Sequence, residues 1–355
     1  MQYIFDGTRP SYIKAPALVD ANYTWETATT VDFGVDMNLF DHFEINFDWY
    51  RRVTRDILTD GATYPAILGA PAPVSNTGEL ESTGWELILK YKNETSYGLG
   101  YDFAFTLGDS KTKVNRYLGN ANNLLDKLYT GATVGDIWGY ETYGLFQNQE
   151  EIAAVNPAVS QKNLATLWYP GDVRYVDLNG DGEITTGTNT LDNPGDRKII
   201  GNSTPRYQYG FNTNLRYKGF DFNLFLQGVA KRDVWIGNAL YWGAGATGTY
   251  DVYSDSWTPE NPDAKYPGYY NAGKNRAVQT RFMESGAYLR VKNISLGYTL
   301  PSSITEHIKF KQVKLSISAF NLLELKKLPK TFDPELLTLN YPIMKSYAFG
   351  IQANF

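Results

Sequence analysis

The chain has 355 residues, 33 Lys and Arg against 38 Asp and Glu, and no cysteine. A net charge of -5 disfavours a nucleic-acid partner. The lack of cysteine excludes a disulfide framework, a zinc ribbon and a cysteine nucleophile. Only His42 and His307 are available for a histidine-based metal or acid–base site. The unusual quantity is aromatic content, 15%, alongside a mean hydropathy of -0.38. No run approaches the ~20 apolar residues of a spanning helix. Many aromatics without apolar runs suit a membrane β-barrel, and they suit a soluble carbohydrate-binding β-protein equally. Met1-Gln-Tyr-Ile-Phe-Asp has neither the basic start nor the apolar core of a signal peptide. The chain therefore reads as cytoplasmic or as a piece of a longer protein, and the strand pattern favours a piece.

Residues 1–30 read as loop. Val31, Phe33, Val35, Met37 and Leu39 then alternate with Asp32, Gly34, Asp36 and Asn38, and after an Asp41-His42 turn Phe43, Ile45, Phe47 and Trp49 alternate again. Period 2 puts each set on one strand face, so this is a hairpin with one apolar and one strongly polar side. A Pro/Gly/Ala-rich connection spans 57–77. A second hairpin turns at Asn93–Ser96, and 108–205 reads mostly as loop. A third hairpin turns at Lys218-Gly219, another long loop covers 231–281, and the last strands fall at 287–300, 312–321 and 345–355. This makes about ten strands, whose connections alternate between short turns and loops far above ~15 residues. That asymmetry is uncommon in compact soluble domains and is required of an outer-membrane barrel.

Three stretches could carry chemistry. Asp177, Asn179 and Asp181, followed by Gly182, Glu183 and Ile184, match the opening of an EF-hand-type calcium loop. Alternate oxygen side chains of a tight loop converge on one hard cation, with Gly permitting the turn. The expected closing acid is replaced by Thr188, leaving Asp192 or Asp196 after an insertion; an Asx-rich turn without an ion fits the same residues. Trp138, Tyr140 and Tyr143 lie in a long loop beside Glu141 and Gln147, suited to stacking on sugar rings or contacting a peptide, and equally to packing that loop. Gly243-Ala-Gly-Ala-Thr-Gly248 satisfies G-x-G-x-x-G, but no strand–helix context surrounds it, so a flexible loop is expected. Glu150 and Glu151 read as helix-start acids rather than a catalytic pair. Four Asn-x-Ser/Thr sequons, beginning at Asn22, Asn93, Asn202 and Asn293, read as chance matches. No nucleophile–base constellation emerges, and no enzyme is expected.

The final stretch alternates Tyr347, Phe349, Ile351 and Phe355 with Ala348, Gly350, Gln352 and Asn354. Chain ends fray unless tied down. A terminal aromatic on a lipid-facing strand suits a barrel closed by pairing its last strand with its first.

Several motifs in order carry a family resemblance across nearly the whole chain. They include Trp25-Glu-Thr, Asp48-Trp-Tyr50 with Thr54–Leu58, Asn76-Thr-Gly leading to Gly84-Trp-Glu86, and Pro170-Gly-Asp-Val-Arg-Tyr-Val-Asp-Leu-Asn-Gly-Asp-Gly182. Asp196–Asn202, Tyr217–Asp221, Tyr288–Tyr298, Asn321-Leu-Leu, Asp333-Pro-Glu335 and Tyr341-Pro342 follow. The chain resembles the C-terminal half of a SusC/RagA-type TonB-dependent transporter of the Bacteroidetes outer membrane. The resemblance implies an all-β fold, the C-terminal part of a large plugged transmembrane barrel over 1–355, with signal peptide, plug and earlier strands absent. It implies import of an oligosaccharide or peptide, a SusD-like lipoprotein partner, contact with outer-membrane lipid, and a TonB complex acting through the missing region. The segment between Ile184 and Asp196 is longer than the family's usual link, so closure of the calcium loop is open. The rival expectation is a surface glycan-binding or adhesion β-protein without transport; a glycan-degrading sandwich would need a carboxylate pair that the sequence does not offer.

Overall fold

The computed structural model describes residues 18–59, 73–155, 157–242, 254–268, 273–307, 309–337 and 343–355. The glycine-rich 243–248 stretch and Tyr341-Pro342 lie outside these residues. Fifteen strands are present among the described residues, nine of them in one antiparallel sheet. In spatial order these are β1 (Thr27–Leu39), β2 (Phe43–Thr59), β3 (Ser75–Glu94), β4 (Gly100–Tyr117), β9 (Arg206–Tyr217), β10 (Phe220–Lys231), β13 (Tyr288–Thr299), β14 (Gln312–Lys326) and β15 (Ser346–Asn354). All but the nine-residue β15 exceed the ~9–11 residues that cross a bilayer at a tilt.

Register shows why the alternation was so regular. Phe33 pairs with Trp49 and Trp49 with Trp85; Val35 pairs with Phe47, Phe47 with Leu87, Leu87 with Leu107, and Leu107 with Tyr209. The apolar positions thus form one continuous outward band. Its members include Phe33, Phe349 and Ile351 at 62%, 81% and 78% exposure, which water would penalise and hydrocarbon would not. The opposite face carries Asp36 beside Asn46, Asp102 beside Asn214, Asn214 beside Asn223, and Ser295 beside Ser318. It is mainly polar, with Ile88 and Phe225 among the exceptions, as suits a water-filled lumen.

One row of partners measures the tilt. Leu39, Phe43, Tyr91, Phe103, Thr213, Leu224, Ile294, Ala319 and Tyr347 are linked in succession. Leu39 ends the apolar run of β1, whereas Tyr347 begins that of β15. The band therefore slants by about one residue per strand, which at ~3.3 Å per residue and ~4.8 Å per strand is a tilt of about 35°. Membrane barrels use 35–45°.

The short connections lie at one end of the sheet. The first turn is Phe40, Asp41 and His42, with Phe40 and Asp41 at φ 53° and 56°, one residue longer than the sequence suggested. Lys218 (φ 46°) and Gly219 (φ 86°) make the tight two-residue hairpin expected, because two left-handed residues match strand twist. Aromatic rings gather at this end, with Phe43–Tyr91 at 4.5 Å, Tyr91–Tyr101 at 5.8 Å, Phe220–Tyr298 at 4.4 Å and Phe310–Phe355 at 4.8 Å. They form the lower aromatic girdle of a membrane barrel.

The expectation of loop from 108 onward needs correction. β4 continues to Tyr117, because Ser110, Thr112 and Val114 keep pairing with β3 beyond the apolar band. The long connections also hold β5 (Asp136–Tyr140), β6 (Thr142–Leu145), β7 (Val173–Tyr175), β8 (Arg197–Asn202), β11 (Asp233–Trp235) and β12 (Met283–Ser285), paired β5–β8, β6–β7 and β11–β12. Glu150 and Glu151 begin a helix, Gln149–Val155, as read. β15 pairs with β14 and lies at the opposite end of the sheet from β1.

Candidate functional site

The long connections do not hang free; they fold into a cap with its own core. Tyr140, Phe146, Trp168, Val173, Tyr175 and Ile184 from the β4–β9 connection pack with Trp242, Trp257, Tyr266 and Phe282 from the β10–β13 connection. Leu328 and Phe332 of the β14–β15 connection join them. Removing this much aromatic surface from water holds three segments together that share no sheet.

The centre of the cap is the Pro170–Tyr175 motif. Gly171 adopts φ 88°, and a Cβ there would meet the Trp257 ring at 2.5 Å, so glycine is required on both counts. Asp172 is fully buried and ion-paired with the equally buried Lys274. Asn275 locks the pair, donating to Asp172 at 2.8 Å and accepting from the Val173 amide at 2.9 Å. Lys274 also donates to the Leu167 carbonyl at 2.6 Å and lies 4.9 Å from the Trp168 and Tyr169 ring centres. Tyr175 donates its hydroxyl to the Lys274 carbonyl at 2.8 Å and accepts from Gln279 at 3.2 Å. Burial pushes the Tyr175 phenol far above its ordinary range, so it serves as a neutral donor. Lys274, Asn275 and Gln279 were missed in the sequence; their one signal is polar side chains inside an otherwise aromatic loop.

The calcium-like loop follows directly. Asp177 accepts from the Gly180 and Gly182 amides at 2.7 and 2.9 Å, Asn179 from Asp181 at 3.0 Å, and Asp181 from Glu183 at 2.8 Å. Ile184 is the apolar anchor, fully buried in the cap core. Glu183 is drawn off by Lys162 at 2.8 Å and Asn163 at 3.2 Å, and Lys162 holds its carboxyl below the usual range. Asp196 is fully buried and spans the two ends of the loop, accepting from Leu178 at 2.8 Å and Thr185 at 2.7 Å. Burial raises its carboxyl above the ordinary aspartate range. Among the described residues no three acidic or histidine side chains converge as a metal cluster. The donors that face one turn are Asp177, Asn179 and Asp181; Glu183 and Asp196 are engaged elsewhere.

The three loop aromatics separate. Trp138 packs against the Val114–Tyr129 cluster and donates to the Tyr129 hydroxyl at 3.1 Å. Tyr140 is buried at 4% exposure, edge-on to Tyr175 at 5.3 Å. Their alternation on β5 turns both into the cap, so they are packing residues. Tyr143 alone faces outward, at 71% exposure, with the Arg174 guanidinium 5.1 Å from its ring and Glu151 holding that guanidinium at 3.1 Å.

Two charged clusters brace the wall, and the second ties a loop to it. Arg206 forks onto Asp109 with two bonds of 2.5 Å, joining β9 to β4. Arg290 on β13, 2% exposed, bonds Glu324 on β14, Asp333 at 2.8 Å and Glu335 at 2.5 Å. The Asp333-Pro-Glu335 motif is thereby pinned over the sheet.

An apolar band slanted at barrel tilt, a polar opposite face, an aromatic girdle and a folded loop cap define an outer-membrane β-barrel protein. No family model matches the chain. It is 30% identical to "TonB-dependent receptor P3" of Formosa agariphila over 94% of this chain and 34% of that protein. It is 23% identical to "TonB-dependent receptor SusC" of Bacteroides thetaiotaomicron, over 100% of this chain and 34% of that one. The open-open RagAB peptide importer superposes with a TM-score of 0.73 at 21% identity, over 96% of this chain and 38% of that one. The chain resembles TonB-dependent receptors of the SusC/RagA type over nearly its whole length, and its place is the outer membrane. It spans about a third of the length of the curated relatives it matches.

Proposed function

We propose that the protein imports a large nutrient, an oligosaccharide or a peptide, across the outer membrane, without catalysing a reaction on it. A SusD-like surface lipoprotein covers the cap, and a TonB complex supplies the energy. The observation that carries this reading is the junction of a polar sheet face with a rigid, multi-loop cap. A wall built only for anchorage needs neither. Cargo held between cap and lipoprotein would pass down the lumen along the Asn, Ser and Asp rows of β4, β9, β10 and β13. In keeping with this, the relatives are named receptors and a peptide importer. We further propose that β15 joins another strand of the complete barrel through Tyr347, Phe349, Ile351 and Phe355.

The test is a tagged pull-down from native outer membranes, followed by uptake of labelled oligosaccharide and peptide pools. Co-purification of a surface lipoprotein, and uptake lost on disruption of the gene, are the expected results. Surface binding of cargo that persists without any uptake would favour an adhesion or glycan-binding protein instead.

We propose separately that Asp177, Asn179 and Asp181 hold a calcium ion with a structural role, on the strength of their oxygen spacing. Calorimetric titration should give a binding heat that Asp177→Ala and Asp181→Ala abolish. A wild-type protein that gives no heat leaves a hydrogen-bonded Asx loop.

A further inference from the structure

We propose that the outward face of β2–β4, immediately above the apolar band, binds a phosphate-bearing lipid headgroup of the outer leaflet through Arg51, Lys111 and Lys113. The proposal rests on the membrane placement of the sheet and not on the import reading.

Trp49 and Trp85 are cross-strand partners and mark the upper edge of the band on β2 and β3. The next outward-facing row consists of Val31, Arg51, Thr83 and Lys111, and the row after that includes Val53, Glu81 and Lys113. The slant of the sheet lifts β4 relative to β2. Arg51 therefore stands about 5 Å above Trp49 and Lys111, two strands further on, about 11 Å, from ~3.3 Å per residue and ~4.8 Å per strand at the strand tilt. This is headgroup depth, at the end of the sheet that carries the long loops and hence faces outward from the cell.

Charge at this height is cancelled only in part. Arg51 is bonded to Glu81 at 2.7 Å, Arg55 lies 3.5 Å from Glu79, and Asp109 is occupied by Arg206. Lys111 and Lys113 are exposed and make no ion pair among the described residues. Thr83 sits between Arg51 and Lys111, short enough to leave a gap between the two cations and hydroxylated at its floor. Outward-facing residues of a barrel meet lipid, and a cation facing hydrocarbon would be costly. The complementary neighbour at this depth is an anionic headgroup, and a phosphate bridging two strands satisfies Arg51 and both lysines together.

The test compares the wild type with the Lys111→Ala/Lys113→Ala double variant, each purified as the whole protein in detergent. Native mass spectrometry follows retention of phosphatidic acid, with diacylglycerol and inorganic phosphate as the comparison probes. A folded barrel that stays compact in unheated gel samples shows that neither protein has simply unfolded. Wild type should retain phosphatidic acid and not diacylglycerol, with affinity falling about fivefold per lysine removed. Equal retention by the double variant would overturn the proposal. So would diacylglycerol retention equal to phosphatidic acid, or inorganic phosphate bound as tightly as the lipid.

Discussion

Asp172 and Lys274 meet as a sealed ion pair beneath the surface loops, with side-chain exposures of 0% and 1%. One comes from the connection after β4 and the other from the connection after β10, so the pair decides whether these loops form one body. Removing a single partner leaves a buried uncompensated charge, which costs about 3–5 kcal/mol, whereas replacing both with apolar residues costs far less. Lys274→Met should therefore open the cap, seen as rapid proteolysis of the loops on intact cells. Asp172→Leu/Lys274→Met should recover much of the protection. Equal sensitivity of the single and double variants would show that the charge pair is not the fastening.

The aromatics of β5 and β6 should divide by burial. Tyr140→Ala is expected to destabilise the cap by about 3–5 kcal/mol, the usual cost of deleting a buried aromatic side chain. Tyr143→Ala should change stability by less than about 0.5 kcal/mol, because its ring is exposed. If Tyr143 touches cargo or the lipoprotein, its variant should lose affinity for them at full stability. Denaturant melts of the cap and binding measurements on the same samples separate the two effects.

Asp196 predicts a pH dependence of the cap. Burial raises its folded carboxyl above the unfolded value, so the folded state binds the proton more tightly. Stability is then greatest below the ordinary aspartate range and falls as pH rises through the raised value. Glu183 works in the other direction, because Lys162 lowers it. Its contribution is present above the ordinary glutamate range and is lost as pH falls through the lowered value. Hydrogen exchange at the Leu178 and Thr185 amides should accelerate with pH across the Asp196 window beyond the intrinsic rate, and Asp196→Asn should flatten that excess.

The face assignment of the sheet is open to a direct check. Ile351 pairs with Leu315 on the outward face, whereas Ser318 pairs with Ser295 on the polar face. Ile351→Arg should cost about 2–4 kcal/mol of folding into lipid if it lies near the bilayer midplane. Ser318→Arg should fold normally. A Ser318 variant that fails while the Ile351 variant folds would invert the sheet.

Much of the wall was already legible in the sequence, because strand periodicity is local: each outward apolar residue announces its face through its own neighbours two positions away. Phe33, Phe47, Leu87 and Phe349 needed no tertiary information to be placed. The same locality made Lys218-Gly219 readable as a hairpin turn. The cap was not legible in this way. Trp138 and Tyr140 carry the same residue types as an exposed binding surface, and only packing against Tyr129 and Tyr175 shows that they face inward. Likewise, Asp172 became the centre of the cap only when Lys274 and Asn275, more than a hundred residues away, closed on it. Alternation in the chain determined which side of the sheet meets lipid. The tertiary structure alone decided which loop residues are buried, because that depends on contacts between segments whose sequences hold no record of one another.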